Sequence, residues 1–199
     1  MAWSFLHEIG RKMIHISILF VLLIHYLIES RYPKKGFALL FLVFLLILFI
    51  VLEFMRLELG WKVPVFSAFI RPKEQNRMFG VVYFISATII SLAVFEYKIA
   101  LAALLMTTFG DMAAALVGKK YGTSLIYRNK TWAGFWSEIV TNLFVGFIVL
   151  KDITGSVFIF ASMAFVATIV ETVVDELDDN LLIPLFSGFV GQVIYLSLF

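Results

Sequence analysis

Seven apolar runs leave this chain little choice of fold. They lie at Met13 to Ile28, Gly36 to Leu52, Met78 to Phe95, Ile99 to Val117, Trp132 to Leu150, Gly155 to Val170 and Leu181 to Phe199. Each approaches the length that crosses the roughly 30 Å hydrocarbon layer of a bilayer as a helix. The chain is 62% hydrophobic and holds 22 phenylalanines, far beyond the apolar share of a soluble domain. The expected fold is an all-α integral membrane protein of about seven transmembrane helices, a single polytopic domain over residues 1–199.

The first run lacks a small-residue cleavage site and leads directly into further spans, so it is expected to remain as a signal anchor. Cysteine is absent, which excludes disulfides and thiolate metal sites. The net charge of +2 is too small to say anything about partners, none of which is expected to be a nucleic acid, but its distribution orients the chain. With seven spans, Arg11, Lys12, Arg56, Lys62, Arg71, Lys73, Arg77, Lys119, Lys120, Arg128 and Lys130 share one side, and Arg31, Lys34, Lys35, Lys98 and Lys151 the other. The positive-inside rule puts the N-terminus in the cytoplasm and the C-terminus outside. Residues 57–77 mix Trp61, Phe66 and Phe69 with basic side chains and prolines, the pattern of a segment lying in the interface. Loops 119–131 and 171–180 then face the cytoplasm.

A charge at the centre of a spanning helix costs about 2.5 to 3.5 kcal/mol on insertion scales, so each needs a reason. Asp111 lies eight residues before Lys119, and Glu138 eight residues after Lys130. Both therefore sit about 12 Å below the basic rim, at one depth. Gly110, Ala114 and Gly118 form a small-residue stripe beside Asp111 that admits a close neighbouring helix.

Lys130 and Thr131 stand at the start of the fifth span, with Thr131 a natural N-cap and Gly134 one turn in. Free N–H groups and the positive end of the helix dipole, with Lys119, Lys120 and Arg128 nearby, suit a phosphate. Deeper in this helix Ser137, Glu138, Thr141 and Asn142 continue a polar face. On the first helix Glu8, Arg11, Lys12 and His15 fall on one stripe. Glu53 and Arg56 read as a juxtamembrane pair, and His25 as structural.

Five carboxylates crowd into Glu171, Asp175, Glu176, Asp178 and Asp179, and no lysine or arginine follows Lys151. In a continuous helix Glu171, Asp175 and Asp178 share one face, with Asp179 and Asn180 at the turn. Oxygen-only ligands suit Mg²⁺ or Mn²⁺. Carboxylates, a basic rim and a helix N-terminus together fit a metal-bound nucleoside triphosphate. Walker A and Gly-x-Gly-x-x-Gly patterns are both missing, so a kinase built this way is neither a P-loop enzyme nor a protein-kinase fold. Two other functions use the same residues: a lipid cytidylyltransferase, and a small cation- or proton-coupled transporter with Asp111 and Glu138 as relay. Polar groups collected on one side, without paired interrupted helices, argue against transport.

Four motifs in order, Glu8-x-x-Arg11-Lys12-x-x-His15, Gly110-Asp111 with Gly118-x-x-x-Gly122, Lys130-Thr131-x-x-Gly134, and Glu171 with Asp178-Asp179-Asn180-Leu-x-x-Pro184, resemble the dolichol kinase and phytol kinase family. The chain is similar to the compact end of that family, with Thr131 where serine is often found and Trp132 following it. The resemblance implies a membrane-embedded kinase that transfers the γ-phosphate of CTP to a lipid alcohol (dolichol, polyprenol, phytol, geranylgeraniol or diacylglycerol). CTP as donor rests on the resemblance alone. With the residue chemistry, it gives the expected roles. Asp111, Lys130 and Asp179 are catalytic. Asp111, Glu171, Asp178 and Asp179 hold Mg²⁺ or Mn²⁺. Arg11, Lys12, His15, Lys119, Lys120, Arg128, Lys130, Thr131, Gly134 and Asn180 contact the nucleotide, and Glu8, Glu138 and Asn142 line the site. Lipids are the expected surroundings, and the sequence does not fix the oligomeric state.

Overall fold

The computed structural model of the chain describes residues 5–33, 36–61, 77–174 and 177–198, and side chains on the first helix from residue 16, Ser17 excepted. Among the described residues there are seven helices and one hairpin: α1 (Phe5–Arg31), α2 (Phe37–Glu58), α3 (Gly80–Val94), α4 (Tyr97–Tyr121), β1 (Leu125–Tyr127), β2 (Lys130–Thr131), α5 (Trp132–Leu150), α6 (Ser156–Val173) and α7 (Asp179–Leu198). One helix forms in each apolar run. Five of them, α2 and α4 to α7, are long and apolar enough to cross a membrane. Helix α3 has 15 residues, about 22 Å of rise, so the expected span from Met78 to Phe95 holds a shorter helix than the others. Phe144 and Phe147 on α5, Phe158 and Phe165 on α6, and Phe186 and Phe189 on α7 are exposed. Side chains of this kind face lipid, and the chain is an integral membrane protein.

The chain divides into two compact units, Met1–Ile89 and Ile90–Phe199. In the first, α1 packs against α2, with Ala38 and Leu42 fully buried. The end of α2 is tied to the chain entering α3. Buried Glu53 accepts two hydrogen bonds from Arg56, at 3.0 and 2.7 Å, and one from the Phe79 N–H at 3.0 Å. Arg56 also donates to the Arg77 carbonyl at 2.6 Å. The expected juxtamembrane pair thus also closes a connection. Residues 62–76, most of the expected interfacial segment, lie outside the described residues.

In the second unit α4 is the central helix, packed against α5, α6 and α7. Its small residues Ala100, Ala102 and Ala103 are fully buried, and they let Ile99 and Met106 join Val145, Leu150, Ile159 and Met163 in one core. Thr107 and Thr108 are buried without penalty because their hydroxyls donate to the Ala103 and Leu104 carbonyls, at 2.8 and 3.0 Å. Glu96 caps the start of α4 by accepting from the Lys98 N–H at 2.6 Å, and its own N–H donates to Gln192 on α7 at 2.7 Å.

The continuous helix that would put Glu171 and Asp178 on one face does not form. Helix α6 ends at Val173, Val174 is extended, and α7 begins at Asp179, so Asp178 stands before a new helix. Asp175 and Glu176 lie outside the described residues.

Candidate active site

The stripe on α4 faces α5, and glycine is what lets the two backbones meet. A methyl placed on Gly134 would come within 2.9 Å of the Ala114 carbonyl oxygen and 3.5 Å of the Gly118 Cα. A methyl on Gly118 would come within 2.9 Å of Thr131 Oγ1. One end of the site is therefore a tight crossing that locks the start of α5 onto α4. Thr131 caps α5 as its sequence predicts, accepting from the Gly134 N–H at 3.2 Å.

Helix α5 is entered through the hairpin, in which Tyr127 pairs with Lys130 and Leu125 with Thr131, the register shifting between them. Arg128 at the turn has a φ of 47°, the left-handed region, and its guanidinium lies over the Tyr127 ring. Lys119 and Lys120 end α4 as exposed residues, Lys120 over the ring of Tyr121. The hairpin turns Lys130 inward, where its ammonium pairs with Glu171.

Asp111 on α4, Glu171 on α6 and Asp179 at the start of α7 each offer a carboxylate oxygen, and the three oxygens lie within 4.8 Å of one another. Asp111 is 5% exposed and Glu171 3%. One Glu171 oxygen bonds Lys130, while Oε2 is buried with no hydrogen-bond partner among the described residues. Burial opposes the charge on Lys130, but attraction to Glu171, Asp111 and Asp179 outweighs it and holds the pKa above the ordinary lysine value.

Asp178 does not join the convergence. Its Oδ1 accepts from the Asn180 N–H at 3.0 Å and side-chain amide at 2.7 Å, and Asp179 Oδ1 accepts from the same two groups at 3.0 and 3.2 Å. Buried Asn180 thus orients both aspartates at the start of α7. Glu138, 2% exposed, lies in the electrostatic field of Glu171, Asp111 and Lys130. Asn142 is fully buried, and its amide donates to Thr168 on α6 at 3.3 Å. Thr168 escapes a search of the sequence for charge, although Thr168-x-x-Glu171 sets both on one helix face. Glu8, Arg11, Lys12 and His15 fall on α1, where their side chains lie outside the described residues.

Fold and site together define a polytopic membrane protein in which three carboxylates from three helices meet beside a lysine and a helix N-terminus. The chain is 34% identical over 138 residues to the CTP-dependent diacylglycerol kinase 1 of Saccharomyces cerevisiae, covering 64% of this chain and 45% of that protein. It is 28% identical over 143 residues to a probable chloroplastic phytol kinase of Zea mays, covering 64% and 46%. With the CTP-dependent diacylglycerol kinase 1 of Schizosaccharomyces pombe it shares 28% identity over 156 residues, covering 73% and 68%. The chain thus spans about half the length of the first two relatives. No family model and no solved structure matches it. Its homologues are CTP-dependent diacylglycerol kinases and phytol kinases, as the sequence motifs lead one to expect.

Proposed function

We propose that the chain is a membrane-embedded kinase that transfers the γ-phosphate of CTP to the hydroxyl of a neutral lipid, diacylglycerol or a long-chain prenol, at the cytoplasmic face. The observation that carries this reading is the meeting of Asp111, Glu171 and Asp179 within 4.8 Å of one another, with Lys130, in the strand that leads into α5, paired to Glu171. The names of the homologues supply the donor and the two classes of acceptor.

The three carboxylates fit a hard divalent cation. Their donors are all oxygen, and the unpartnered Glu171 Oε2 is an acceptor that burial would otherwise leave unsatisfied. Asp111, Glu171 and Asp179 would hold Mg²⁺ or Mn²⁺, and Asp178 supports them through Asn180. Such an ion, when bound, offsets charge on phosphate oxygens.

Lys130 binds the transferring phosphoryl group as a point charge, and the N–H groups that open α5 next to Thr131 and Gly134 donate to phosphate oxygens. Lys119, Lys120 and Arg128 add positive potential at the rim. The acceptor oxygen bonds the γ-phosphorus as the bond from that phosphorus to the β–γ bridging oxygen breaks. CDP leaves with the electron pair, and Asp111 or Asp179 takes the hydroxyl proton.

The test is purified protein with Mg²⁺, CTP labelled at the α- or the γ-phosphorus, and a panel of diacylglycerol, phytol, geranylgeraniol and polyprenol. Label in the lipid from the γ-position alone is the expected result. Label from the α-position with release of pyrophosphate would make the protein a cytidylyltransferase.

A further inference from the structure

Asn142 on α5 meets both helices that carry the buried carboxylates Asp111 and Glu171. Its wholly buried amide donates to Thr168 Oγ1 on α6 at 3.3 Å and bonds the Glu138 carboxylate one turn earlier on its own helix. Its Oδ1 rests over Gly110 on α4. A methyl placed on that glycine would come within 2.3 Å of Oδ1, and the three atoms nearest to such a methyl all belong to Asn142. Gly110 directly precedes Asp111 in the chain, and Thr168 lies one turn before Glu171 on the same helix face. One side chain therefore spans from the neighbour of one site carboxylate to the neighbour of another.

Packing alone does not account for an asparagine here. Its Oδ1 is buried with no hydrogen-bond partner among the described residues, and a buried polar atom of that kind destabilises a fold relative to an apolar side chain of similar size. What the amide adds is direction. It is short and planar, bonded to Thr168 and Glu138 and stopped by Gly110, so it has little room to turn. Rigid spacing matters to a bound ion because hard cations differ in what they tolerate. Mg²⁺ takes oxygens at about 2.0 to 2.1 Å in near-octahedral geometry, whereas Ca²⁺ accepts about 2.3 to 2.6 Å in a flexible one. Carboxylates held at a fixed separation discriminate between the two ions, and loosely held ones do not.

We infer that Asn142 is a positioning residue: by bridging Gly110 on α4 and Thr168 on α6 it fixes the separation of the Asp111 and Glu171 carboxylates and so makes the cation site selective for Mg²⁺ over Ca²⁺. This rests on the cation site proposed above and is independent of which acceptor is phosphorylated.

The experiment loads the full chain in detergent with Mn²⁺ in the absence of nucleotide. Unbound Mn²⁺ is followed by its paramagnetic resonance signal while Mg²⁺ or Ca²⁺ displaces the bound ion. Wild type is expected to bind Mg²⁺ more tightly than Ca²⁺. In Asn142→Ala and Thr168→Val, Mg²⁺ affinity should fall by about tenfold, as when support for metal ligands is removed, with Ca²⁺ affinity within about threefold of wild type. Thr168→Ser, which keeps the hydroxyl, should keep the wild-type ratio. Gly110→Ala pushes the amide aside and should lower Mg²⁺ affinity by itself, yet add nothing in the Asn142→Ala background. If Asn142→Ala does not fold, Thr168→Val against Thr168→Ser decides. Wild type that holds no divalent cation, or prefers neither ion, overturns the inference. So do wild-type affinities in both loss variants, or equal losses for both ions, which would reduce Asn142 to support of the fold. A selectivity that follows Asn142 in a protein that phosphorylates no alcohol upholds the inference and removes the kinase reading.

Discussion

Lys130 reaches from the hairpin before α5 to the buried carboxylate of Glu171 on α6. Two helix ends are joined by that bond, which sets a lysine among the converging carboxylates. Because the pair ties two elements, its protonation is linked to folding. The folded pKa of Lys130 lies above the ordinary value of 10.5. The stabilisation is therefore fully present below that value and is lost as pH rises through the folded pKa. Thermal unfolding of wild type and Lys130→Met should differ by a margin that does not narrow from about pH 7 to 10. The margin should then close at higher pH, and one that narrowed between pH 7 and 9 would contradict the assignment.

Asp111 offers a second test, since it sits in the middle of α4 and meets Glu171 and Asp179. Asparagine keeps its size and removes its charge. Asp111→Asn should lower γ-phosphate transfer by about 100-fold or more, in the range of lost electrostatic stabilisation. Its unfolding temperature should stay close to wild type, because fewer buried like charges then repel one another. Undiminished turnover by a folded Asp111→Asn preparation would remove the residue from the mechanism.

Asp111, Glu171 and Asp179 were legible in the sequence because a charge stands out against an apolar run, and the Thr131 cap because capping chemistry is local. The register of the acidic segment was not. Nothing at Val173 or Val174 carries the glycine or basic residue that ordinarily signals a helix end, so the periodicity from Glu171 to Asp178 read as one face. The hairpin was equally hidden. Its turn is Arg128-Asn129, with a positive φ on arginine, in place of the Asn-Gly that favours such turns. What fixes it is tertiary: Lys130 held by Glu171, and Thr131 wedged against Gly118. Thr168 went unseen because a neutral threonine in an apolar helix has no signature until Asn142 is found opposite.

Gly134 gives a packing test independent of charge. A methyl there meets the backbone carbonyl of Ala114 at 2.9 Å, and a backbone cannot swing aside as a side chain can. Gly134→Ala should destabilise by about 1 to 3 kcal/mol, and Gly134→Val by more. Phosphate transfer should fall further than the folded fraction, because the shift carries Thr131 and Lys130 with it. Activity that merely tracked the folded fraction would show that the crossing does not position the site.

The Glu53 connection predicts an asymmetry between two ion pairs. Glu53 is buried and satisfies both Arg56 and the Phe79 N–H, so Glu53→Ala leaves a buried donor without its acceptor. That costs about 1 to 3 kcal/mol for the N–H alone. Lys98 and Asp152 are 3.6 Å apart, with side chains 43% and 67% exposed. An exposed pair of that kind contributes about 0 to 1 kcal/mol, so Lys98→Ala should barely move the unfolding temperature. Glu53→Gln, which can still accept from Phe79 but offers Arg56 no charge, should fall between the two. Equal losses for Glu53→Ala and Lys98→Ala, measured in one detergent, would mean that the tie between α2 and α3 contributes no more than a surface pair.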